Sequence, residues 1–204
     1  MDEPVIENGT ARVGAGEWLV GRTQPAASRG TVSVKTLRGV IVPDRIWVRS
    51  VKSSDSLFCA SADAPFLTRL EALPDAVLSV ASAKLLVAPA RARVGAKAVK
   101  LVPLSFQRSL AVTRFQMGWV LAGTRGRVTR TALEDGATLM VRPEAVVAWS
   151  GADPSGFCPK LSVLDVLLPR GPRNLAYTFH GPCVVWFEGS AEPRVNLRPR
   201  RFYA

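Results

Sequence analysis

Glycine and proline, 16 and 15 of them in 204 residues, cut this chain about every 8 to 15 residues, and the segments between the cuts are rich in Val, Leu, Thr and Trp. Segments that short hold a strand but seldom a full helix, so the expected class is all-β, a sandwich or barrel built from turn-bounded strands. The local patterns agree. "GTVSVKTL" alternates Val32 and Val34 with polar neighbours, "VIVP" and "IWVRSV" flank the turn "PDR", and "RVTRTAL" and "TLMV" flank "EDGA". Period-two alternation across a turn is the mark of a half-buried hairpin.

One stretch resists this reading. "DAPFLTRLEALPDAVLSVASAKLLVAP", residues 63–89, is the main helix candidate: Asp63 stands as a cap, Pro65 near a first turn, and Pro74 as an interruption. Periodicity leaves "AVLSVASAKLLVA" open between helix and strand. The following "KLLVAPARARVGAKAVK", residues 84–100, reads as an exposed basic connection or a hairpin.

Internal similarity adds an architectural expectation. "RGTVSVKTL" (29–37) lines up with "RGRVTRTAL" (125–133), and "GVIVPDRIWVRS" (39–50) with "ATLMVRPEAVVAWS" (137–150), in the same order. A duplicated unit constrains a fold more than any single motif. The expected organisation is one β-rich domain over 1–190, of duplicated β-sandwich or double-stranded β-helix-like units. Its two related halves, about 12–75 and 105–190, are joined by the basic connection 84–104, with one or two short helices between them. An Arg-rich extended tail follows, 191–204.

Charge is the unusual total. The net formal charge is +11, and between Asp75 and Glu134 there is no acidic residue while Lys84, Arg91, Arg93, Lys97, Lys100, Arg108, Arg114, Arg125, Arg127 and Arg130 all occur. Arg194, Arg198, Arg200 and Arg201 form a second cluster. Such a field attracts phosphate backbones or anionic headgroups, and a solvated basic face is the bland alternative. These lysines and arginines, Arg114 excepted, are the candidate anion-contacting or RNA-contacting residues. Phe115 and Trp119 are either stacking platforms or core residues.

Catalytic and metal chemistry finds little footing. Cys59, Cys158 and Cys183 are an odd set without a C-x-x-C pair, which fits a reduced compartment and implies neither a zinc site nor a disulfide framework. His180, the only histidine, lies three residues before Cys183 in "FHGPC"; activation of the thiol by imidazole needs the two to meet across Gly181 and Pro182, and no third group orients them. Gly14 and Gly16 in "VGAGEW" lack the third glycine of a dinucleotide fingerprint. We therefore expect no catalytic residue, metal or cofactor. No apolar run reaches the roughly 20 residues of a membrane span, which leaves peripheral membrane contact open. The start, "MDEPVIENGT", resembles neither a secretory signal nor a transit peptide, so a leader is expected to be absent or removed.

Three stretches, "WVLAGTRGRVTRTALEDGATLMVRPEAVVAWSG" (119–151), "NLAYTFHGPCVVWFEGS" (174–190) and, more loosely, "GTVSVKTLRGVIVPDRIWVRS" (30–50), resemble the altered inheritance of mitochondria protein 24 family. The resemblance implies a β-rich fold similar to that of the tryptophan RNA-binding attenuation protein, symmetric oligomers, and no enzyme. It implies a scaffold acting through protein contacts, mitochondrial in a eukaryote and cytoplasmic in a bacterium. The "ARARVGAKAVK" block and the Arg-rich tail depart from that pattern and point to a second reading, an RNA-associated subunit of a large ribonucleoprotein such as an organellar ribosome.

Overall fold

The computed structural model describes residues 3–14, 18–21, 26–28, 32–37, 45–50, 56–73, 75–102, 105–157, 176–189 and 195–196, and these form twenty strands in four antiparallel sheets. The first sheet sets β1 (Val5–Glu7), β2 (Thr10–Val13), β7 (Ser56–Cys59) and β4 (Ala27–Ser28) side by side. In the second the order is β5 (Val32–Leu37), β6 (Arg45–Ser50), β3 (Trp18–Gly21), β10 (Leu85–Pro89), β13 (Trp119–Thr124) and β8 (Phe66–Glu71). The third runs β11 (Arg93–Val102), β12 (Ser105–Phe115), β9 (Leu78–Ala81), β16 (Val146–Gly151), β19 (Cys183–Glu188) and β14 (Val128–Leu133). The fourth runs β17 (Ser155–Phe157), β18 (Ala176–His180), β15 (Thr138–Val141) and β20 (Val195–Asn196).

The chain is all-β, as its punctuation implies. The order repeats with a period of six strands: adding six to each label of the second sheet gives the third, and adding six to β11, β12, β9 and β14 gives the fourth. The sequence blocks that resemble one another do not follow this period. Residues 32–37 form β5 and 128–133 form β14, which occupy opposite ends of the strand order in their sheets. What the blocks share is a sequence pattern, an Arg-Gly pair followed by an alternating run.

Three apolar clusters lie between successive sheets. Ala11, Val13 and Phe58 of the first meet Leu19, Val87, Trp119 and Leu121 of the second. Val20, Leu70, Leu85, Val120 and Ala122 on the other face of the second meet Leu78, Val80, Phe115, Val147 and Trp186 of the third. Val112, Trp149, Val185 and Phe187 of the third then meet Leu139, Val141, Tyr177 and Phe179 of the fourth, with Trp149 edge-on to Phe179 at 5.8 Å between ring centroids. The central strands of the two middle sheets are thus buried on both faces. All six residues of β13 are buried, Trp119 and Leu121 on one side and Val120 and Ala122 on the other. A strand covered on both faces has no solvent side and reads as a continuous apolar run.

That burial corrects the helix expectation. Residues 63–89 hold three strands, β8, β9 and β10, and β9 and β10 join through a turn in which Lys84 N donates to Ala81 O at 2.8 Å. Four buried residues in a row in β9 mimic the apolar density of a core helix. The only helical segments among the described residues are single 3-10 turns, Ala90–Ala92 and Pro143–Ala145. Nor is the described part of 84–104 a surface connection. Its first strand, β10, runs through the middle of the second sheet, and residues 93–102 form β11 in a long hairpin with β12, the second of the two alternatives; residues 103–104 lie outside the described residues.

"FHGPC" is a close crossing of chains. His180 ends β18, Cys183 begins β19, and Gly181 N donates to Ala137 O at 3.0 Å. A Cβ built on Gly181 falls 1.8 Å from Glu134 O, so any side chain forces two backbones apart. Gly181→Ala is expected to destabilise the protein by about 3 kcal/mol, at the upper end for overpacking because the obstacle is backbone; a thermal unfolding midpoint within a degree or so of wild type would contradict this.

Candidate basic interface

The candidate basic residues separate into three groups once folded. Lys84 and Lys97 have carboxylate partners. Lys84 is ion-paired with Glu188, and the two side chains are only 16% and 11% exposed. The second oxygen of Glu188 accepts from Arg125 N at 3.2 Å, so this carboxylate ties the β9–β10 turn to the end of β13 and the end of β19. Lys97, on β11, pairs with Asp153 just before β17. Neither lysine presents an uncompensated charge.

The second group sits elsewhere or is more enclosed. Arg91 and Arg93 flank Ala92 between β10 and β11; Arg91 is exposed, whereas burial pulls the Arg93 guanidinium below its usual range. Lys100 and Arg108 lie on the facing strands of the β11–β12 hairpin, where Lys100 pairs with Ser109. Arg194, Arg198, Arg200 and Arg201 fall outside the described residues.

Arg125, Arg127 and Arg130 form the third group, and they are together. All three are exposed, on the β13–β14 connection and the edge strand it leads into. The connection is held by Thr124 Oγ1, which donates to Gly126 O at 2.8 Å, by Arg125 N on Glu188, and by Gly189 N, which donates to Arg127 O at 2.9 Å. The guanidinium of Arg130 lies 5.8 Å from the ring centroid of Trp186, within cation–π range. Among the described residues none of the three guanidinium groups pairs with a carboxylate. Spacing along the chain indicated this cluster; Glu188 and Trp186 carried no such signal, since Glu188 and Lys84 are 104 positions apart.

His180 and Cys183 do not form a reactive pair. His180 is exposed, with Nε2 at 3.4 Å from Ser155 Oγ, while Cys183 packs in the core, where burial pushes its thiol up and keeps it protonated at neutral pH. Phe115 and Trp119 are core residues, 0% and 3% exposed, so neither offers a ring to a base. No group of three or more His, Cys, Asp or Glu able to hold a metal occurs among the described residues, and no helix there is long and apolar enough to cross a membrane.

Tyr177 is the most perturbed group. From β18 its hydroxyl enters the β11–β12 hairpin, donating to Val99 O at 3.0 Å and accepting from Leu110 N at 3.1 Å, between two residues that face one another across the ladder.

The chain thus belongs to the all-β class, a stack of antiparallel sheets with a cluster of three exposed arginines at the β14 edge. In fold it is similar to a Streptococcus pyogenes protein of known crystal structure, with a TM-score of 0.66 over 88% of this chain and 87% of that one, at 15% identity. No protein-family profile and no curated protein matches the chain.

Desolvation raises Tyr177 to about 12 from 10.0, against a smaller lowering by the Leu110 amide. Its folded pKa exceeds its unfolded one, so its contribution is complete below pH 10 and is lost as pH rises towards 12, where only the unfolded chain ionises. The loss across that window is about 3 kcal/mol. Thermal unfolding midpoints of the wild type should fall more steeply between pH 9.5 and 11.5 than those of Tyr177→Phe; parallel curves would refute the assignment.

Proposed function

We propose that this protein is a non-catalytic scaffold of the altered-inheritance family type, acting through protein contacts in an oligomer or larger assembly. The observation that carries this reading is where its reactive side chains go. Glu188 and Lys84 tie two turns to a strand end, Lys97 and Asp153 tie a hairpin to a loop, the Tyr177 hydroxyl bridges two strands, and Cys183 fills a core. The chemistry of these groups maintains the stack. The surface meanwhile displays Met117, 69% exposed in a left-handed turn (φ 67°), together with Val94 and Phe66, apolar groups suited to protein contact. Resemblance of residues 119–151, 174–190 and 30–50 to that family supports the same reading.

Light scattering on a size-exclusion column is the direct test. A mass of two or more chains, or a retained protein partner, is expected. A strict monomer that retains no partner overturns the proposal.

A second reading rests on Arg125, Arg127 and Arg130: a subunit that contacts phosphate without reading bases, as in a large ribonucleoprotein. For that reading, affinity for a single-stranded RNA should fall by at least about 20-fold between 50 and 200 mM salt, with three phosphate contacts as a lower bound and the tail adding more. Deleting residues 194–204 should weaken it further. RNA that does not bind at low salt ends this reading.

A further inference from the structure

We propose that the outer edge of β14 is a docking site for an extended acidic segment of a partner protein, which adds to the third sheet as another antiparallel strand. The inference rests on the scaffold reading and says how one contact is made.

The backbone supplies the first observation. β14 lies at the end of its sheet and, among the described residues, pairs only with β19. Gly189 N donates to Arg127 O, which makes Arg127 and Gly189 a hydrogen-bonded pair. The register from Val128↔Glu188 to Leu133↔Cys183 is unbroken, so the alternation of an antiparallel ladder turns Thr129, Thr131 and Leu133 towards β19. The N–H and C=O groups of Val128, Arg130 and Ala132 therefore face outward, a row of donors and acceptors ready for one more strand.

Four other edges are blunted or occupied. β4 has two residues and β1 three, with Pro4 directly before it. Along β11 the register shifts twice. On β8, Arg69 is occupied by Glu3 and Glu71. Among edge strands whose side chains are described, β14 alone is six residues long, regular, and bears a cation with no carboxylate partner.

Charge selects the occupant. Arg125, Arg127 and Arg130 line the approach, and Glu188, the carboxylate beside them, is committed to Lys84 and the Arg125 amide. A second copy pairing through the same edge would bring arginine against arginine, which disfavours self-pairing. An extended segment with acidic side chains at alternate positions satisfies both the backbone row and the arginines.

Fluorescence anisotropy of the full-length protein with a labelled peptide of alternating valine and glutamate tests this. The peptide is also made in two N-methylated forms, each blocking one alternate set of amides. Saturable binding is expected, with one methylated form retained and the other weakened about tenfold, because only one set of amides faces β14. Replacing Arg125, Arg127 and Arg130 by glutamate should weaken binding by about tenfold or more. Ala132→Pro, whose N–H faces outward and is not used by β19, should lose binding at an unchanged unfolding temperature. If that variant does not fold, the methylated peptides on wild type still decide. Three results overturn the proposal: no binding at about 1 mM peptide, equal binding of both methylated forms, or tighter binding of a ten-residue oligouridine than of the peptide at the same salt. A stable oligomer that ignores the peptide would reject this edge and leave the scaffold reading standing.

Discussion

The structure depends on covering both faces of the two middle sheets. The central strands of each contribute apolar side chains to a cluster on either side, so among the described residues the stack contains three cores and the outer sheets complete the first and last of them. Every other feature is placed by that arrangement. Strands such as β13 and β16 carry apolar side chains on both faces, Trp119 and Leu121 against Val120 and Ala122, or Val146 and Trp149 against Val147 and Ala148, where the register of β16 shifts. Burying a residue of this size contributes about 2 kcal/mol, and a strand that contributes to two cores contributes from both of its faces.

A few long-range polar ties then lock the layers. Glu188 joins the β9–β10 turn, the end of β13 and the end of β19, and with side chains mostly shielded from water its pair with Lys84 is screened far less than a surface salt bridge. Tyr177 does a related job between the fourth sheet and the β11–β12 hairpin, offering one hydroxyl to an amide and a carbonyl that would otherwise face each other. These contacts use up groups that, read along the chain, resembled parts of a reactive or anion-binding site.

What remains for function lies on the periphery. Among the described side chains, the positive field of the acid-free block divides into the paired Lys84 and Lys97, an exposed Arg91, a partly buried Arg93, and three exposed arginines at one sheet edge. That edge combines unspent backbone hydrogen bonds with unspent charge. Protein-contact and RNA-contact readings differ in which of the two a partner uses: a strand needs both, a phosphate backbone only the charge.

The sequence by itself determined the class. Glycine and proline leave no room for long helices, and alternation in "RVTRTAL" and "TLMV" marks β14 and β15 because each has a face that is not fully buried. It also located the arginine cluster, since Arg125, Arg127 and Arg130 are near neighbours in the chain, and it marked Gly181 and Pro182 as a bend. The tertiary structure alone decided that residues 78–81 and 85–89 are strands, because a strand buried on two sides loses the alternation by which strands are recognised. It alone decided that the sheets repeat every six strands while the similar sequence blocks occupy different places. It alone removed Lys84 from the basic surface, because the carboxylate that neutralises it is brought from 104 positions away by the pairing of sheets.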